Sequence, residues 1–207
     1  MKKLSISELG WVVAVICAGA LVAVVVWGRR GEEAKQPAPP QRDIYAARGV
    51  SLPPKADTYE VIGWRKGLRN YVVRYNERLY RGGRITGPEG VAALKEWGIR
   101  TVISITPDEK ERSYVRSAGV KLVEVPFQRK TGVPPAMLAK FLQAVQAEPG
   151  PFYLHCLAGC QRAGALAAAY RIHVEGWDFH KAAVEFGRLG GSLKNDHKLL
   201  ETIRRKP

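Results

Sequence analysis

From residue 78 to residue 204, short β-branched runs alternate with segments of helical length, and this alternation limits the folds open to the chain. Residues 78–81 read as a strand that turns at Gly82-Gly83. Thr86-Gly87-Pro88-Glu89 offers a capping residue with Glu three positions on, opening a helix that stops at Gly98. Residues 100–105 read as a strand, 107–118 as a helix, and 121–125 as a strand ended by Pro126. A helix over 134–147 puts Met137, Phe141, Leu142 and Val145 on one face. Then come a strand at 152–155, an Ala-rich helix at 163–175, and helices at 179–189 and 195–204. Strands separated by helices predict an α/β domain whose mostly parallel central sheet is flanked by helices.

Residues 9–27 hold no charged side chain. As a helix that run is about 28 Å long, close to the thickness of a bilayer's hydrocarbon core. Trp11 and Trp27 lie near its ends, Lys2 and Lys3 before it, Arg29 and Arg30 after it. The run is long for a signal peptide and meets Trp-Gly-Arg-Arg instead of a small-residue cleavage site. The expected organisation is a basic N-terminus (1–8), a single transmembrane helix (9–27), a Pro-rich linker (28–56) and a globular domain (57–207). Pro37, Pro39, Pro40, Pro53 and Pro54 make the linker semi-extended. The basic N-terminus argues for one orientation and the larger Lys/Arg content after the helix for the other, so the side is open.

The chain carries 33 Lys+Arg against 19 Asp+Glu, a formal charge of +14. Residues 57–207 hold 25 basic and 15 acidic side chains, so the excess belongs mainly to the globular domain and favours anionic partners. Three cysteines exclude a disulfide framework, and Cys156 and Cys160 have no second Cys/His pair at zinc-like spacing. No metal or other cofactor is expected. No zinc knuckle, basic helix or aromatic RNA-binding strand supports a nucleic-acid partner.

The chemistry concentrates after the strand at 152–155, in His155-Cys156-Leu157-Ala158-Gly159-Cys160-Gln161-Arg162. A loop between a strand end and a helix N-terminus attracts anions, and its N–H groups can curl around phosphate oxygens. Arg162 can grip two oxygens through its planar fork, and the same dipoles favour the thiolate of Cys156. A thiolate at the floor of such a cradle is a nucleophile aimed at phosphorus.

The run His155-Cys156-x-x-Gly159-x-x-Arg162 resembles the loop of the protein tyrosine and dual-specificity phosphatases. Residues 76–203, including LYRGGRITGPEGVAALKEWGIRTVISI and HCLAGCQRAGALAAAYRIHVEGWDFHKAAVEFGR, are similar to the atypical dual-specificity phosphatases of plants and fungi and their bacterial relatives. The resemblance implies a protein tyrosine phosphatase-like fold and hydrolysis of phosphoester or phosphoanhydride bonds through a phosphocysteine intermediate, without metal. It implies Cys156 as nucleophile, Arg162 as phosphate clamp, and His155 as a support for the loop and thiolate. Leu157, Ala158, Gly159, Cys160 and Gln161 would line the phosphate, with an inositol phosphate or a phosphoprotein as substrate.

Two departures stand out. The family places Ser or Thr after the loop arginine, where this chain has Ala163, which implies slower breakdown of the intermediate. The stretch that carries the family's general acid reads Pro126-Phe127-Gln128-Arg129-Lys130-Thr131-Gly132 and has no carboxylate. Asp108, with Glu109 and Glu111 behind it, is the nearest substitute, against an ordinary helix-capping role. Losing a general acid forfeits about 10²–10⁴-fold on a poor leaving group and matters less on an acidic one. Arg129 and Lys130 suit a polyanion, so the expected substrate carries several phosphates.

Cys160 reads either as a resolving thiol or as a small apolar filler. Arg81 and Arg84 read as a solvated turn, with reach to the phosphate site as the alternative; His197 reads as a surface or helix-packing residue, and Lys198 as part of a solvated basic tail. A membrane-tethered phosphate-binding module with little catalysis is the competing function. A sulfurtransferase is a weaker fit, because its loop sets Cys and Arg one residue closer. The expected location is a single pass through a membrane, the bacterial inner membrane.

Overall fold

The structure is a computed structural model that describes residues 13–17, 20–24 and 52–205. Two compact units divide the chain, residues 1–39 and 40–207. In the first, strands β1 (Val13–Cys17) and β2 (Ala20–Val24) pair antiparallel from Val13↔Val24 to Cys17↔Ala20. The helix expected over 9–27 is therefore not what these described residues form; their β-branched Val and Ile favour a strand. The other residues of that span, and residues 28–51 of the linker, lie outside the described residues. Among the described residues no helix is long and apolar enough to cross a membrane.

The second unit holds strands β3 (Glu60–Gly63), β4 (Val72–Arg74), β5 (Leu79–Gly82), β6 (Thr101–Ser104), β7 (Lys121–Glu124) and β8 (Phe152–His155). Its helices are α1 (Pro88–Glu96), α2 (Glu109–Ser117), α3 (Pro135–Ala147), α4 (Arg162–His173), α5 (Phe179–Arg188) and α6 (His197–Arg204), with a 3₁₀ turn at Arg129–Thr131. The strands form one sheet in the order β3-β4-β5-β8-β6-β7. β5, β8, β6 and β7 run parallel, whereas β3–β4 and β4–β5 pair antiparallel. The sheet is thus mixed, not mostly parallel, because the segment before residue 78 folds back as hairpins instead of crossing over. Asn76 makes one of these turns, its Oδ1 accepting from the N–H groups of Arg78 and Leu79 at 2.8 Å each.

Side chains alternate across the sheet. Val73, Leu79, Ile103, Phe152 and Leu154 face a core with residues of α3, α4, α5 and α6; Val72, Tyr80, Val102 and Tyr153 face a second with residues of α1 and α2. Helix α4 has nine of its twelve residues buried, which its Ala-rich sequence permits by letting neighbouring helices approach closely. Leu52 and Ala56 also pack on the larger core, and the Tyr59 hydroxyl donates to the Pro54 carbonyl at 2.6 Å. The cap expected at Thr86 is instead Gly87, which makes no side-chain cap bond; Pro88 opens α1.

The parallel strands β5, β6 and β8 deliver Gly82, Ser104 and His155 to one edge of the sheet, in register. Everything described next is built on that edge, where α4 begins.

Candidate active site

Strand β8 ends at His155, and the chain turns through residues 156–161 before α4 starts at Arg162. Cys156 is buried, 2 % exposed, and the Gly159 N–H points at its Sγ from 3.3 Å. The loop's carbonyls are tied outward. The Arg84 N–H donates to the Leu157 carbonyl at 3.2 Å, and Asn70 Nδ2 donates to the Ala158 carbonyl at 3.0 Å. Asn70 is itself oriented by accepting from the Tyr71 N–H at 2.8 Å. No backbone carbonyl among the described residues takes the N–H groups of Leu157, Ala158 or Cys160. Turning the carbonyls out turns the donors inward, and that makes an oxyanion cradle.

Gly159 is required twice over. Its φ of +84° is a region other residues adopt only under strain, and a Cβ there would stand 2.5 Å from the Gly82 carbonyl. The loop is thereby pressed against the end of β5.

Behind the loop lies a buried polar chain. His155 Nε2 and Glu111 Oε1 face each other at 2.5 Å, both side chains fully buried. Ser104 Oγ donates to the other Glu111 oxygen at 2.7 Å, and His155 Nδ1 lies 3.4 Å from the Cys156 carbonyl oxygen. Asp108 caps α2, its Oδ1 accepting from the Glu111 N–H at 2.9 Å, while its Oδ2 pairs with Arg84 Nη1 at 3.0 Å. Each Asp108 oxygen thus holds one partner, the α2 N-terminus or Arg84. Arg84 Nη2 also donates to the Thr106 carbonyl at 3.1 Å, so this one residue couples the reactive loop to the β6–α2 loop.

Arg162 opens α4 and donates from Nη1 to the Phe127 carbonyl at 3.4 Å. It lines a cleft of about 710 Å³ with Gln128, Arg129, Lys130, Asn195, His197 and Lys198. The structure thus brings Arg129 and Lys130 together with Arg162, as a substrate cleft would. His197, expected at the surface or in helix packing, and Lys198, expected in a solvated tail, stand in the same cleft.

Cys160 faces away from this cradle. Its Sγ contacts the Ala158 carbonyl at 3.7 Å, and a Cβ on Gly190 would come within 3.2 Å of it. Burial pushes the Cys160 thiol up, against the nearby Arg81 guanidinium, with Cys156 reinforcing the rise. Burial likewise pushes the adjoining Tyr71 hydroxyl up to about 12. Arg81 is only 1 % exposed, contrary to the solvated turn expected of it; its Nη2 donates to the Leu189 carbonyl at 2.9 Å. Its register opposite Leu154 points it into the core beneath α4, which no local sequence signal reveals. Among the described residues, no group of three or more His, Cys, Asp or Glu side chains could hold a metal ion.

Comparison with known proteins agrees with this architecture. The family model described as a DSP-PTPase phosphatase fused to NAD+ kinase matches residues 64–198. The dual specificity protein phosphatase TpbA of Pseudomonas aeruginosa is 34% identical over 125 residues, covering 59% of this chain and 56% of that relative. The chain thus spans little more than half the length of the curated relatives it matches. The crystal structure of P. aeruginosa TpbA superposes with a TM-score of 0.55 at 28% identity, covering 64% of this chain and 88% of that one. The core catalytic domain of the PP-IP phosphatase SIW14 from S. cerevisiae shares the fold at 19% identity, with a TM-score of 0.54 over 75% of this chain and 88% of that one. With the family match spanning β8, the reactive loop and α4, the chain belongs to the DSP-PTPase phosphatases, atypical dual-specificity members of the cysteine-dependent protein tyrosine phosphatase superfamily.

Proposed function

We propose that the chain is a metal-independent phosphatase that uses Cys156 as nucleophile and acts on a small molecule carrying several phosphates, an inositol phosphate being one such class. The observation that carries this reading is the Gly159 N–H aimed at the Cys156 sulfur inside a loop whose carbonyls are tied outward. In the first step Cys156 Sγ attacks phosphorus, an S–P bond forms, and the P–O bond to the leaving group breaks. Loop N–H groups and the Arg162 guanidinium hold the phosphoryl oxygens as charge shifts onto the leaving oxygen. Water then attacks phosphorus, the S–P bond breaks, and phosphate leaves while the thiolate is restored.

The absence of a carboxylate in residues 126–132, together with the engagement of Asp108, supports a leaving group that departs without a proton. A phosphoanhydride or an aryl phosphate meets that condition; an alkyl phosphate forfeits about 10²–10⁴-fold. A Cys→Ser variant of P. aeruginosa TpbA has been crystallised in complex with pTyr, which makes a phosphotyrosyl protein the second substrate class to test.

Metal-free phosphate release from an aryl phosphate, from inositol polyphosphates and pyrophosphates, and from a phosphotyrosine peptide decides the matter, with Cys156→Ser alongside. Release abolished in Cys156→Ser supports the enzyme. Binding of phosphate ligands without release supports instead a phosphate-binding module, the reading that Ala163 favours. We also infer, from the uncharged run over residues 9–27, that the N-terminus tethers the protein to a membrane. Recovery of the full chain in the soluble fraction would refute the tether.

A further inference from the structure

We propose that the cleft beside the reactive loop is a second phosphate subsite, in which Lys130 together with His197 and Lys198 of α6 takes a further phosphate of the same substrate molecule. This rests on the phosphatase reading above and extends it to residues outside the reactive loop. The cleft is lined by Arg129, Lys130, Arg162 and Lys198 with Gln128, Asn195 and His197, and by no carboxylate. Its volume of about 710 Å³ is that of a small-molecule site. A phosphate entering it would meet the charges of Lys130, Arg162 and Lys198 and the free terminal nitrogens of Arg129.

Arg129 and His197 are also held in place. Arg129 is tied through Nε to Asp196, whose buried carboxylate takes the Ser192 N–H at 2.9 Å on its other oxygen. That bond leaves the terminal guanidinium nitrogens of Arg129 without a protein acceptor among the described residues. Lys130 and Lys198 form no ion pair among them either. His197 is anchored through Nδ1 at 3.1 Å from the Lys194 carbonyl oxygen, so its Nε2 meets a phosphate as a donor from the imidazolium or as an acceptor from a phosphate hydroxyl. Helix α6 is clamped to the 3₁₀ turn: the Val133 N–H donates to Thr202 Oγ1 at 2.9 Å, and a Cβ on Gly132 would meet Thr202 Cγ2 at 2.7 Å. Such bracing reduces the ordering that a bound anion would otherwise impose. Arg162 belongs to both the loop and the cleft, so a phosphate held by Arg162 places the next group of the same molecule among Lys130, His197 and Lys198.

The test compares the full chain with its His197→Ala, Lys198→Ala and Lys198→Glu variants. Inositol hexakisphosphate and inorganic phosphate serve as competing inhibitors of aryl phosphate hydrolysis. Loss of one charge-assisted contact should raise the inhibition constant of the hexakisphosphate about tenfold, and charge reversal further, with a much smaller change for inorganic phosphate. Constants that move together, or not at all, overturn the subsite. A loss confined to an acidic phosphotyrosine peptide overturns it too and assigns the cleft to a protein substrate. Should the parent fail to hydrolyse the aryl phosphate, the phosphatase reading falls, yet calorimetric binding of the same two anions still decides the subsite.

Discussion

Glu111 and His155 meet at 2.5 Å with both side chains wholly buried, directly behind the peptide that carries Cys156. Glu111 comes from α2, which Asp108 caps and Arg84 braces, so the β6–α2 loop supports the reactive loop from beneath. Glu111→Gln preserves shape but removes the charge that faces the imidazole. The expected outcome is a fall in kcat of about tenfold, with Asp108→Asn costing less because Asn still caps α2 and only the ion pair with Arg84 is lost. Steady-state kinetics on an aryl phosphate, alongside thermal unfolding, checks this. An unchanged kcat in a folded Glu111→Gln protein would reduce the pair to core packing.

Asn70 lies far from the loop in sequence but fixes its shape by donating to the Ala158 carbonyl at 3.0 Å. Asn70→Ala should leave that carbonyl free to rotate and the neighbouring N–H groups misaligned. Since both ground state and transition state use those donors, phosphate inhibition should weaken and kcat/KM fall, each by about tenfold. Measuring both constants distinguishes a slack cradle from a lost nucleophile, which would spare phosphate binding.

The Cys160 thiol is held above its ordinary range by burial, so its thiolate becomes abundant only as pH rises past that range. At pH 7.5 Cys160 should therefore alkylate slowly with iodoacetamide, accelerating about tenfold per pH unit on the way up. For the same reason it should resolve a peroxide-oxidised Cys156 poorly, and Cys160→Ser should leave the rate of peroxide inactivation unchanged. Rapid appearance of a Cys156–Cys160 disulfide at pH 7.5, seen by mass spectrometry, would favour the resolving role.

Much of this was legible because it is local. The strand at Phe152–His155, the helix after it and the anion-seeking loop between them follow from residue pattern over two dozen positions. The hairpins of β3 and β4 were not, since three- and four-residue strands leave no sustained period. Asn70, Asp196 and the burial of Arg81 were equally hidden: each acts through a partner far along the chain. Lys198 looked like part of a basic tail, because nothing in its neighbours tells that α6 folds beside Arg162.

A buried ion pair away from the cleft predicts stability. Arg171 of α4 donates to Glu185 of α5 from Nε at 2.9 Å and Nη2 at 3.1 Å, and to Glu175 from Nη1 at 2.6 Å. The Arg171 and Glu185 side chains are 4% and 7% exposed, and the Trp177 ring covers the guanidinium at 4.2 Å. Thr58 joins from the start of the domain, its Oγ1 donating to Glu185 at 2.7 Å and its carbonyl accepting from Arg171. Removing Arg171 leaves the Glu185 carboxylate buried without a counter-charge, so Arg171→Met should cost about 3–5 kcal/mol, and Glu185→Ala less, because Glu175 still pairs with Arg171. The double variant should cost less than the sum, since neither charge is then stranded. Urea denaturation of the two single variants and the double variant checks this; additive losses would mean that the two side chains act independently of each other.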